Sequence, residues 1–496
     1  MAPVEIQIDP KRVISEVDPR IYSGFTEHMG RCIYGGLYDP GSPLADPQTG
    51  FRKDVLEVIR SLRVPIVRYP GGNFVSSYRW QDGVGPRELR PRRPELAWLG
   101  EESNHFGTDE FMLWCKEAGA EPYICLNMGT GTLEDALGWV EYCNGTSNTY
   151  WANQRRKNGH PEPYKVKYWS LGNEGALPHL PSPWQVGQMT ASDYAKTAFQ
   201  WAKALKLLDP TIELVSCGEG GYTAWDGEVL NKLAPMIKYH SLHQYTTSTG
   251  DHMVNVTGPA GAEKGIEITK SLIDLARIQN SVEEEITICF DEWNVWDPQR
   301  AIGSEGAEEH YDLSDALAVA CWLNVFIRKA DVVKIACIAQ SVNVISPLMT
   351  SPTGLYKQTT FHPLYLFANH MRGLSLSLSL HGSPTYNGRT RPAWIQHVCP
   401  PAMLDASAVL SEDGKEVRLA LVNRDPEEGQ EVVCRFAGVQ VREEARVYEV
   451  WSSEGLGVRN DFGQEKVGVT QRTERVREGR LTVKKHSFTL VCFTLA

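Results

Sequence analysis

Eight short apolar runs recur along the first three quarters of this 496-residue chain, separated by amphipathic stretches. Unbroken apolar character over five or six residues is typical of a strand that is buried on both faces. The runs are Ile21–Phe25, Val64–Tyr69, Pro122–Leu126, Val166–Leu171, Ile212–Cys217, Tyr239–Leu242, Ile286–Phe290 and Val333–Ile338. The intervening stretches have helical apolar spacing, as in FRKDVLEVIRSL, TDEFMLWCKEAG, SDYAKTAFQWAKALKLL, ITKSLIDLARIQ and LSDALAVACWLNVFIR. This alternation predicts an α/β protein with a parallel sheet.

Eight is the number of strands that closes a (β/α)8 TIM barrel, and we predict this fold for residues 18–375. An open doubly wound sheet is the alternative, but no glycine-rich nucleotide-binding fingerprint follows an early strand.

The pattern changes after about Gly373, where helical spacing gives way to strand-like alternation. LSLSLSL alternates with period two, and AVLSEDGKEVRLALVN places two strand patterns around an Asp-Gly turn. We therefore predict a C-terminal antiparallel β-sandwich domain over residues 376–496. The strand-like opening of the chain, residues 1–17, is expected to join the same domain.

The composition excludes several function classes. The net charge is −11, and an acidic chain gains nothing from a phosphate backbone, so we predict no nucleic-acid partner. No apolar run approaches the roughly 20 residues of a membrane helix, so no membrane partner is predicted either.

The eleven cysteines are scattered singly without a CxxC pair, which favours a reduced protein without a cysteine metal site. The opening residues, MAPVEIQIDPKRVISEV, lack the features of a secretory signal, so we predict a cytoplasmic location. Secretion is the alternative if a leader has been removed.

Polar and aromatic side chains follow the predicted strands, at the end where a TIM barrel builds its active site. In chain order they include Glu27, Arg68, Asn73, Asn173, Glu174, His243, Tyr245, Glu292 and Gln340. These ends contain neither a Cys/His cluster with metal-ligand spacing nor a phosphate-binding loop, so we predict no metal and no cofactor. A pocket of hydrogen-bonding and aromatic side chains suits an uncharged polyol.

Two of these residues, Glu174 after the fourth run and Glu292 after the seventh, are candidates for a catalytic pair. Strands four and seven face each other across a barrel. Two carboxyls about 5–5.5 Å apart let one attack an anomeric carbon while the other protonates the leaving oxygen. Asn173 precedes the first glutamate and can donate to a sugar 2-hydroxyl, a contact that strengthens in the transition state. The alternative is that each glutamate is an ion-paired loop residue.

Long strings around these residues resemble the α-L-arabinofuranosidases of glycoside hydrolase family 51. They are LGNE, FDEWNVW, VRYPGGNFVSSYRWQDGVGP, RPRRPELAW, SLHQY and KIACIAQSVNVISPLMT. The likeness runs from about Ile21 to Gly373, and the C-terminal β domain resembles the family's sandwich more loosely. The resemblance implies a retaining mechanism with Glu174 as acid/base and Glu292 as nucleophile, and a homo-oligomer, either a trimer or a hexamer.

The resemblance also implies roles for eight further residues. Glu27 and Asn73 match residues that bind furanose hydroxyls, and Asn173 matches the partner of the 2-hydroxyl. Arg68 and Tyr245 match residues that flank the nucleophile, and His243 matches a residue near the catalytic pair. Trp98 matches a loop tryptophan that shapes the sugar pocket, and Gln340 matches an amide at the rim of that pocket. A cation such as Arg68 would keep the nucleophile ionised. Three alternatives stay open: Arg68 as a salt bridge under the sheet, His243 as a core histidine, and Trp98 as packing for the loop Arg87–Pro94.

The chain departs from the family pattern directly after Glu174. The family continues within a few residues to Gly-Pro-Trp-Gln, whereas this chain reads GALPHLPSPWQVG. Pro178, Pro181 and Pro183 are expected to stiffen this loop, which lies where the leaving group should sit. The segment Thr246–Glu263 is expected to be a second loop.

We predict a retaining exo-glycosidase that removes terminal non-reducing α-L-arabinofuranosyl groups from arabinan or arabinoxylan oligosaccharides. A β-xylosidase or an endo-β-glucanase on the same scaffold is the nearest alternative. A non-hydrolytic sugar-binding protein and a metal-dependent barrel lyase or isomerase are more distant ones.

Overall fold

Eight parallel strands close into a barrel, and every predicted apolar run supplies one of them. The computed structural model describes residues 3–175, 186–248, 250–297 and 307–496. Numbered along the chain, barrel strands one to eight are Ser23–Phe25, Ile66–Tyr69, Glu121–Cys125, Tyr168–Leu171, Glu213–Ser216, Tyr239–Thr246, Thr287–Val295 and Val333–Ala339. They follow one another around the barrel in chain order. The predicted TIM barrel is therefore confirmed, and the open-sheet alternative is wrong.

Helices alternate with the barrel strands, as the amphipathic stretches predicted. The α-helices are Lys53–Ser61, Thr108–Ala118, Leu133–Asn144, Tyr150–Lys157, Ala191–Leu208, Ala224–Leu233, His252–Thr257, Pro259–Asn280, Leu313–Arg328, Phe361–His370 and Ile395–Val398. Among the described residues, no helix combines the length and the apolar character that crossing a bilayer requires.

The expectation of a loop over Thr246–Glu263 was wrong, because much of the segment is helical. The Asp251 carboxylate caps the first helix by accepting from the backbone N–H groups of Met253 and Val254, at 3.0 and 3.3 Å. Pro259 then opens the next helix at a position where its missing N–H breaks no helical hydrogen bond.

The C-terminal β domain is confirmed, and its strands join into one nine-stranded sheet. Val4–Glu16 lies inside this sheet, antiparallel to Leu374–His381 and parallel to Gln430–Phe436. The other strands are Leu404–Leu410, Glu416–Asn423, Val441–Val450, Val469–Arg475, Arg480–Val483 and Ser487–Leu495. The sheet curls over its own apolar core, since Phe436 and Phe493, on strands far apart in the sheet order, pack with ring centroids 4.9 Å apart.

Two smaller features complete the architecture. The predicted Asp-Gly hairpin joins Leu404–Leu410 to Glu416–Asn423, with Gly414 at a φ of +69° that favours glycine. Two short ribbons stand outside the main sheets, Leu348–Ser351 with Gly354–Lys357 and Arg93–Pro94 with Glu101–Glu102.

Helix Leu313–Arg328 joins the barrel to the curled sheet. Nearly all of its residues are buried. Asn324 and Arg328 reach the sheet by donating to the Asp405 carboxylate at 2.8 and 3.1 Å.

Candidate active site

The carboxyl ends of the barrel strands, which we call the barrel mouth, bring the sequence-predicted residues together. Nine of the ten fall into two sets of hydrogen bonds and ion pairs. The larger set contains Arg68, Asn173, Glu174, His243, Tyr245 and Glu292, and the smaller contains Glu27, Trp98 and Gln340. The tenth, Asn73, directly follows Gly72, whose α-carbon lies between Glu27 and Glu292.

Glu292 is 5% exposed and is held by one donor on each carboxylate oxygen. Arg68 Nη1 donates to Oε1 at 2.6 Å, and the Tyr245 hydroxyl donates to Oε2 at 2.8 Å. A second guanidinium nitrogen of Arg68 donates to Asn173 Oδ1 at 2.7 Å. Burial alone would lower the pKa of Arg68, but the charges of Asp291 and Glu292 raise it well above its ordinary value. Arg68 is therefore a permanent cation, and its salt bridges to Asp291 and Glu292 lie inside the site and not beneath the sheet.

Glu174 stands in the turn after barrel strand four with a φ of +41°, in the left-handed region that side-chain-bearing residues rarely adopt. Gly172, at a φ of +86°, begins this turn. The turn is held on its far side, where the Gly175 N–H donates to Cys217 Sγ at 3.3 Å and the Gly175 carbonyl accepts from the Met189 N–H at 3.1 Å. Both hydrogen bonds hold Gly175 and so fix the chain directly after the strained residue Glu174.

The carboxylates of the two glutamates lie close together in the barrel mouth. One oxygen of Glu174 and one of Glu292 lie within 4.8 Å of each other and of a ring nitrogen of His243. Carboxyl groups about 5–5.5 Å apart are typical of double displacement, whereas inverting enzymes need a wider gap for a water molecule.

His243 lies between three carboxylates. Its Nδ1 is 3.0 Å from Glu174 Oε1 and 3.6 Å from Glu292 Oε2, and its Nε2 is 3.1 Å from Asp291 Oδ1. Burial alone would lower the pKa of His243, but the carboxylates outweigh it and raise the pKa to about 10. The ring is an imidazolium that donates from both nitrogens. This arrangement suits a counter-ion that the three carboxylates share.

Asp291 is the residue that sequence reasoning missed. It is 1% exposed, and its Oδ2 accepts from the Tyr123 hydroxyl at 2.7 Å and lies 3.3 Å from Arg68 Nε. Its Oδ1 accepts from the Ser241 hydroxyl and from His243. Burial would raise the pKa of Asp291, but Arg68 and His243 hold it well below its ordinary value.

A register shift explains how two consecutive acids reach the same cluster. Successive side chains of a regular strand point to opposite faces. Barrel strand seven shifts register against strand six between Cys289 and Glu292, and against strand eight between Phe290 and Trp293. This irregularity brings both Asp291 and Glu292 within reach of Arg68 and His243. The available signal was an Asp-Glu pair inside an otherwise apolar run.

Glu27 forms the other wall of the pocket. Its carboxylate accepts from the Phe74 N–H at 3.0 Å, from Trp98 Nε1 at 3.2 Å and from Gln340 Nε2 at 3.0 Å. Burial raises the pKa of Glu27 to about 8; the Phe74 hydrogen bond opposes this rise and the charge of Glu292 adds to it. Trp98 therefore belongs to the pocket, and its loop is tied down because Glu95 accepts from the backbone N–H groups of Ala97 and Trp98 at 2.6 Å each.

Backbone atoms of Gly72 form the floor of the sugar pocket, without a side chain. A Cβ on Gly72 would lie 3.2 Å from both Glu27 Oε2 and Glu292 Oε1, so the glycine permits the two carboxylates to approach the chain. The adjacent Asn73 Oδ1 is buried and has no hydrogen-bond partner among the residues that the structure describes, so it can accept a hydrogen bond from a ligand hydroxyl. Trp296, a second residue missed from the sequence, packs edge-on against Tyr245 with ring centroids 5.3 Å apart.

The loop with Pro178, Pro181 and Pro183 lies outside the described residues, so its predicted stiffness stays a prediction.

Comparison with known proteins agrees with this site. The model of the "Alpha-L-arabinofuranosidase 1 domain" matches residues 58–257, and that of the "Alpha-L-arabinofuranosidase C-terminal domain" matches residues 291–487. "Alpha-L-arabinofuranosidase C" of Emericella nidulans is 55% identical over 98% of this chain and 96% of its own length.

Two bacterial proteins are similar over almost the whole chain. "Intracellular exo-alpha-(1->5)-L-arabinofuranosidase" of Halalkalibacterium halodurans is 37% identical over 96% of this chain and 95% of its own. The crystal structure of the Thermotoga maritima α-L-arabinofuranosidase in its arabinose complex has a TM-score of 0.89 at 39% identity, covering 99% of this chain and all of that one. The chain therefore belongs to the α-L-arabinofuranosidases of glycoside hydrolase family 51.

Proposed function

We propose that this chain is a retaining exo-acting hydrolase of terminal non-reducing α-L-arabinofuranosyl groups, with arabinan and arabinoxylan oligosaccharides as substrates. The observation that carries the proposal is the pair of carboxylate oxygens, one from Glu174 and one from Glu292, that lie within 4.8 Å in the barrel mouth. That spacing supports double displacement. The names of the Emericella and Halalkalibacterium relatives support the sugar and the exo mode of attack.

In the first step a carboxylate oxygen of Glu292 attacks the anomeric carbon. The bond to the leaving oxygen breaks, its electron pair stays on that oxygen, and Glu174 supplies the proton. Arg68 and Tyr245 fix the attacking carboxylate through hydrogen bonds of 2.6 and 2.8 Å. Holding the nucleophile in place lowers the entropic cost of reaching the transition state.

In the second step Glu174, now a carboxylate, takes a proton from water. The water oxygen attacks the anomeric carbon, the ester bond to Glu292 breaks, and its electron pair returns to the Glu292 carboxylate. Two inversions give net retention. His243 lies 3.0 Å from Glu174 and supports the carboxylate that forms between the two steps.

The sugar pocket suits a small neutral ring. Glu27, Asn73 and Gln340 offer acceptors and donors around the bare floor at Gly72, and Trp98 supplies an aromatic wall. We assign Asn173 to the 2-hydroxyl, because Arg68 fixes its oxygen at 2.7 Å and so sets the orientation of its amide.

The alternatives on the same scaffold are not favoured. The relatives at 55% and 37% identity are both named arabinofuranosidases, which argues against a β-xylosidase or an endo-β-glucanase. The buried and paired carboxylates argue against a protein that only binds sugar. Both ring nitrogens of His243 serve carboxylates, which argues against a metal-dependent lyase or isomerase.

Turnover of 4-nitrophenyl α-L-arabinofuranoside by three variants tests the assignment. We expect Glu292→Ala to lose at least about 10⁴-fold in kcat, because the covalent step disappears. Glu174→Ala should be slowed and then rescued by azide, which enters without base assistance and gives an azide product of retained configuration.

The matched control is Glu213→Ala, at the opposite end of the same barrel, where Glu213 accepts from the Tyr239 hydroxyl at 2.9 Å. It should keep kcat within about threefold. A wild type that ignores arabinofuranosides but cleaves a xyloside or a β-glucan would contradict the proposal, as would equal losses in Glu213→Ala and Glu292→Ala.

We further propose that the protein is cytoplasmic and homo-oligomeric, a trimer or a hexamer, with its barrel in residues 18–375 and the second domain in residues 1–17 and 376–496. The word "intracellular" in the name of the Halalkalibacterium relative supports the location. Fractionation of the source cells tests the location, and light scattering after gel filtration tests the oligomer, where a monomer at micromolar concentration would contradict it.

A further inference from the structure

One buried carboxylate in the barrel mouth takes no part in the double displacement. Asp291 is 1% exposed and precedes the nucleophile in barrel strand seven. A buried carboxylate is costly unless charges and hydrogen bonds offset its desolvation, so its retention beside a catalytic pair calls for a reason.

Groups from three other barrel strands converge on the two oxygens of Asp291, with Tyr123, Ser241 and His243 as hydrogen-bond partners and Arg68 as an ion-pair partner. Arg68 comes from strand two, Tyr123 from strand three, and Ser241 and His243 from strand six. The Tyr123 hydroxyl is 2.7 Å from Oδ2, Arg68 Nε is 3.3 Å from the same oxygen, and His243 Nε2 is 3.1 Å from Oδ1.

Each of the two cations around Asp291 also reaches one catalytic glutamate. His243 turns its other nitrogen to Glu174 at 3.0 Å, and Arg68 turns Nη1 to Glu292 at 2.6 Å. A guanidinium or imidazole plane that is fixed on one edge presents its other edge in a defined direction. The Asp291 carboxylate is thus linked to each glutamate through one shared cation.

We propose that Asp291 is a positioning residue for both catalytic glutamates, acting on Glu174 through His243 and on Glu292 through Arg68. The inference rests on the proposed roles of the two glutamates and adds the residue that fixes their positions relative to each other.

The charges of the cluster give the proposal a signature in the pH profile. Within the cluster the two carboxylates of Asp291 and Glu292 face the two cations Arg68 and His243. The other ionisable groups near Asp291 are Tyr123, Tyr194 and the buried thiols of Cys125, Cys217, Cys289 and Cys337. Without the charge of Asp291 the cluster has an excess positive charge and gives up a proton at lower pH. The alkaline limb of the pH–activity profile therefore moves to lower pH.

The test compares Asp291→Asn with Asp109→Asn in the full chain. Asp109 is the matched control because it is also buried and accepts from two tyrosine hydroxyls, Tyr142 at 2.9 Å and Tyr164 at 2.7 Å, which are not among the partners of either catalytic glutamate. We expect Asp291→Asn to lose on the order of 10² in kcat with KM within about threefold, and its alkaline limb to fall by at least half a pH unit. Asp109→Asn should keep kcat, KM and the profile.

Leaving-group dependence separates positioning from general damage. If the proton donor is misplaced, the loss is larger for an arabino-oligosaccharide, whose leaving group needs the proton, than for a nitrophenyl glycoside. An equal loss for both substrates with an unmoved alkaline limb would overturn the proposal, as would an unchanged kcat in Asp291→Asn.

A milder variant decides the matter if Asp291→Asn does not fold. Tyr123→Phe removes the 2.7 Å donor of Asp291 and nothing that touches a glutamate. It should shift kcat and the alkaline limb in the same direction by a smaller amount, and unchanged values would overturn the proposal.

Glu174→Ala and Glu292→Ala, measured alongside, distinguish a failure of the proposed function from a failure of the positioning role of Asp291. If they remain active, the proposed function fails; if they are dead while Asp291→Asn and Tyr123→Phe match the wild type, only this inference fails.

Discussion

Barrel strand six carries two histidines, three residues apart, and each lies beside a buried aspartate. His240 Nε2 is 3.1 Å from Asp226 Oδ1, and His243 Nε2 is 3.1 Å from Asp291 Oδ1. The two pairs are alike in residue type and distance, although His240 is fully buried and His243 is partly exposed. They differ in what stands at the other ring nitrogen: the Ser216 hydroxyl for His240, and the Glu174 carboxylate for His243.

This difference distinguishes an Asp-His pair that stabilises the fold from an Asp-His pair that lies in the active site. Asp226 also accepts from the backbone N–H groups of Glu219 and Gly221 at 2.8 and 2.9 Å, so its pair fixes the loop after barrel strand five. His243 instead joins three carboxylates, two of which we assign to the reaction. The role of an Asp-His pair is therefore set by its third partner. The core-histidine reading that stayed open for His243 describes His240.

The largest expected difference between the pairs is in catalysis. His243→Gln should lower kcat on the order of 10²-fold, because an uncharged side chain cannot support Glu174 and Glu292 as the imidazolium does. His240→Gln should keep kcat within about threefold while it lowers the unfolding free energy by about 1–3 kcal/mol, since a buried partner of Asp226 is lost. Steady-state kinetics and urea titrations measure the two effects. Similar kcat losses in both variants would contradict the distinction between the two Asp-His pairs.

A smaller contrast comes from two Gly→Ala changes, one at Gly72 in the floor of the sugar pocket and one at Gly227 beside Asp226. A Cβ at Gly72 would lie 3.2 Å from oxygens of Glu27 and Glu292, so we expect a loss of about tenfold or more in kcat/KM from crowding at the pocket floor.

Gly227 follows Asp226 in a helix, and a Cβ there would meet Leu272 at an ordinary 3.7 Å. Gly227→Ala should therefore leave activity unchanged and raise the unfolding free energy by about 0.5–1 kcal/mol. Greater stability in Gly72→Ala together with full activity would show that the pocket floor is not tightly packed.

The smallest contrast is in the pH dependence of stability. The folded-state pKa of His243, about 10, lies above its ordinary value of 6.5. Its contribution to stability is thus fully present below about pH 6.5 and is lost as the pH rises through about 10. The stability gap between the wild type and His243→Gln should narrow over that range.

Asp226 has the opposite sign. Burial would raise its pKa, but its pairing with His240 and its hydrogen bonds lower it below its ordinary value of 3.8. The gap between the wild type and Asp226→Asn should therefore persist at neutral and alkaline pH and shrink only in acid. Urea unfolding at a series of pH values measures both gaps, and a constant gap for His243→Gln would contradict its assignment as an imidazolium.

Much of the fold was readable from the sequence because strands buried on both faces leave continuous apolar runs. Glu174 and Glu292 were readable for a related reason, as acids directly after such runs. The helix His252–Thr257 was missed because its signal is one capping aspartate and a following proline rather than a long apolar stripe. Asp291 was missed because regular alternation would turn it away from Glu292, and only a register shift, which depends on both neighbouring strands, brings it into the cluster.

The central claim is that Glu292 becomes covalently linked to the sugar while Glu174 exchanges a proton with the leaving group and with water. Mass spectrometry of Glu174→Ala, quenched during turnover of 4-nitrophenyl α-L-arabinofuranoside and digested with pepsin, tests it most directly. Without its base the variant should accumulate the intermediate, and a pentosyl adduct should appear on the peptide that contains Glu292. An adduct on another peptide, or steady turnover with no adduct at any quench time, would contradict the account.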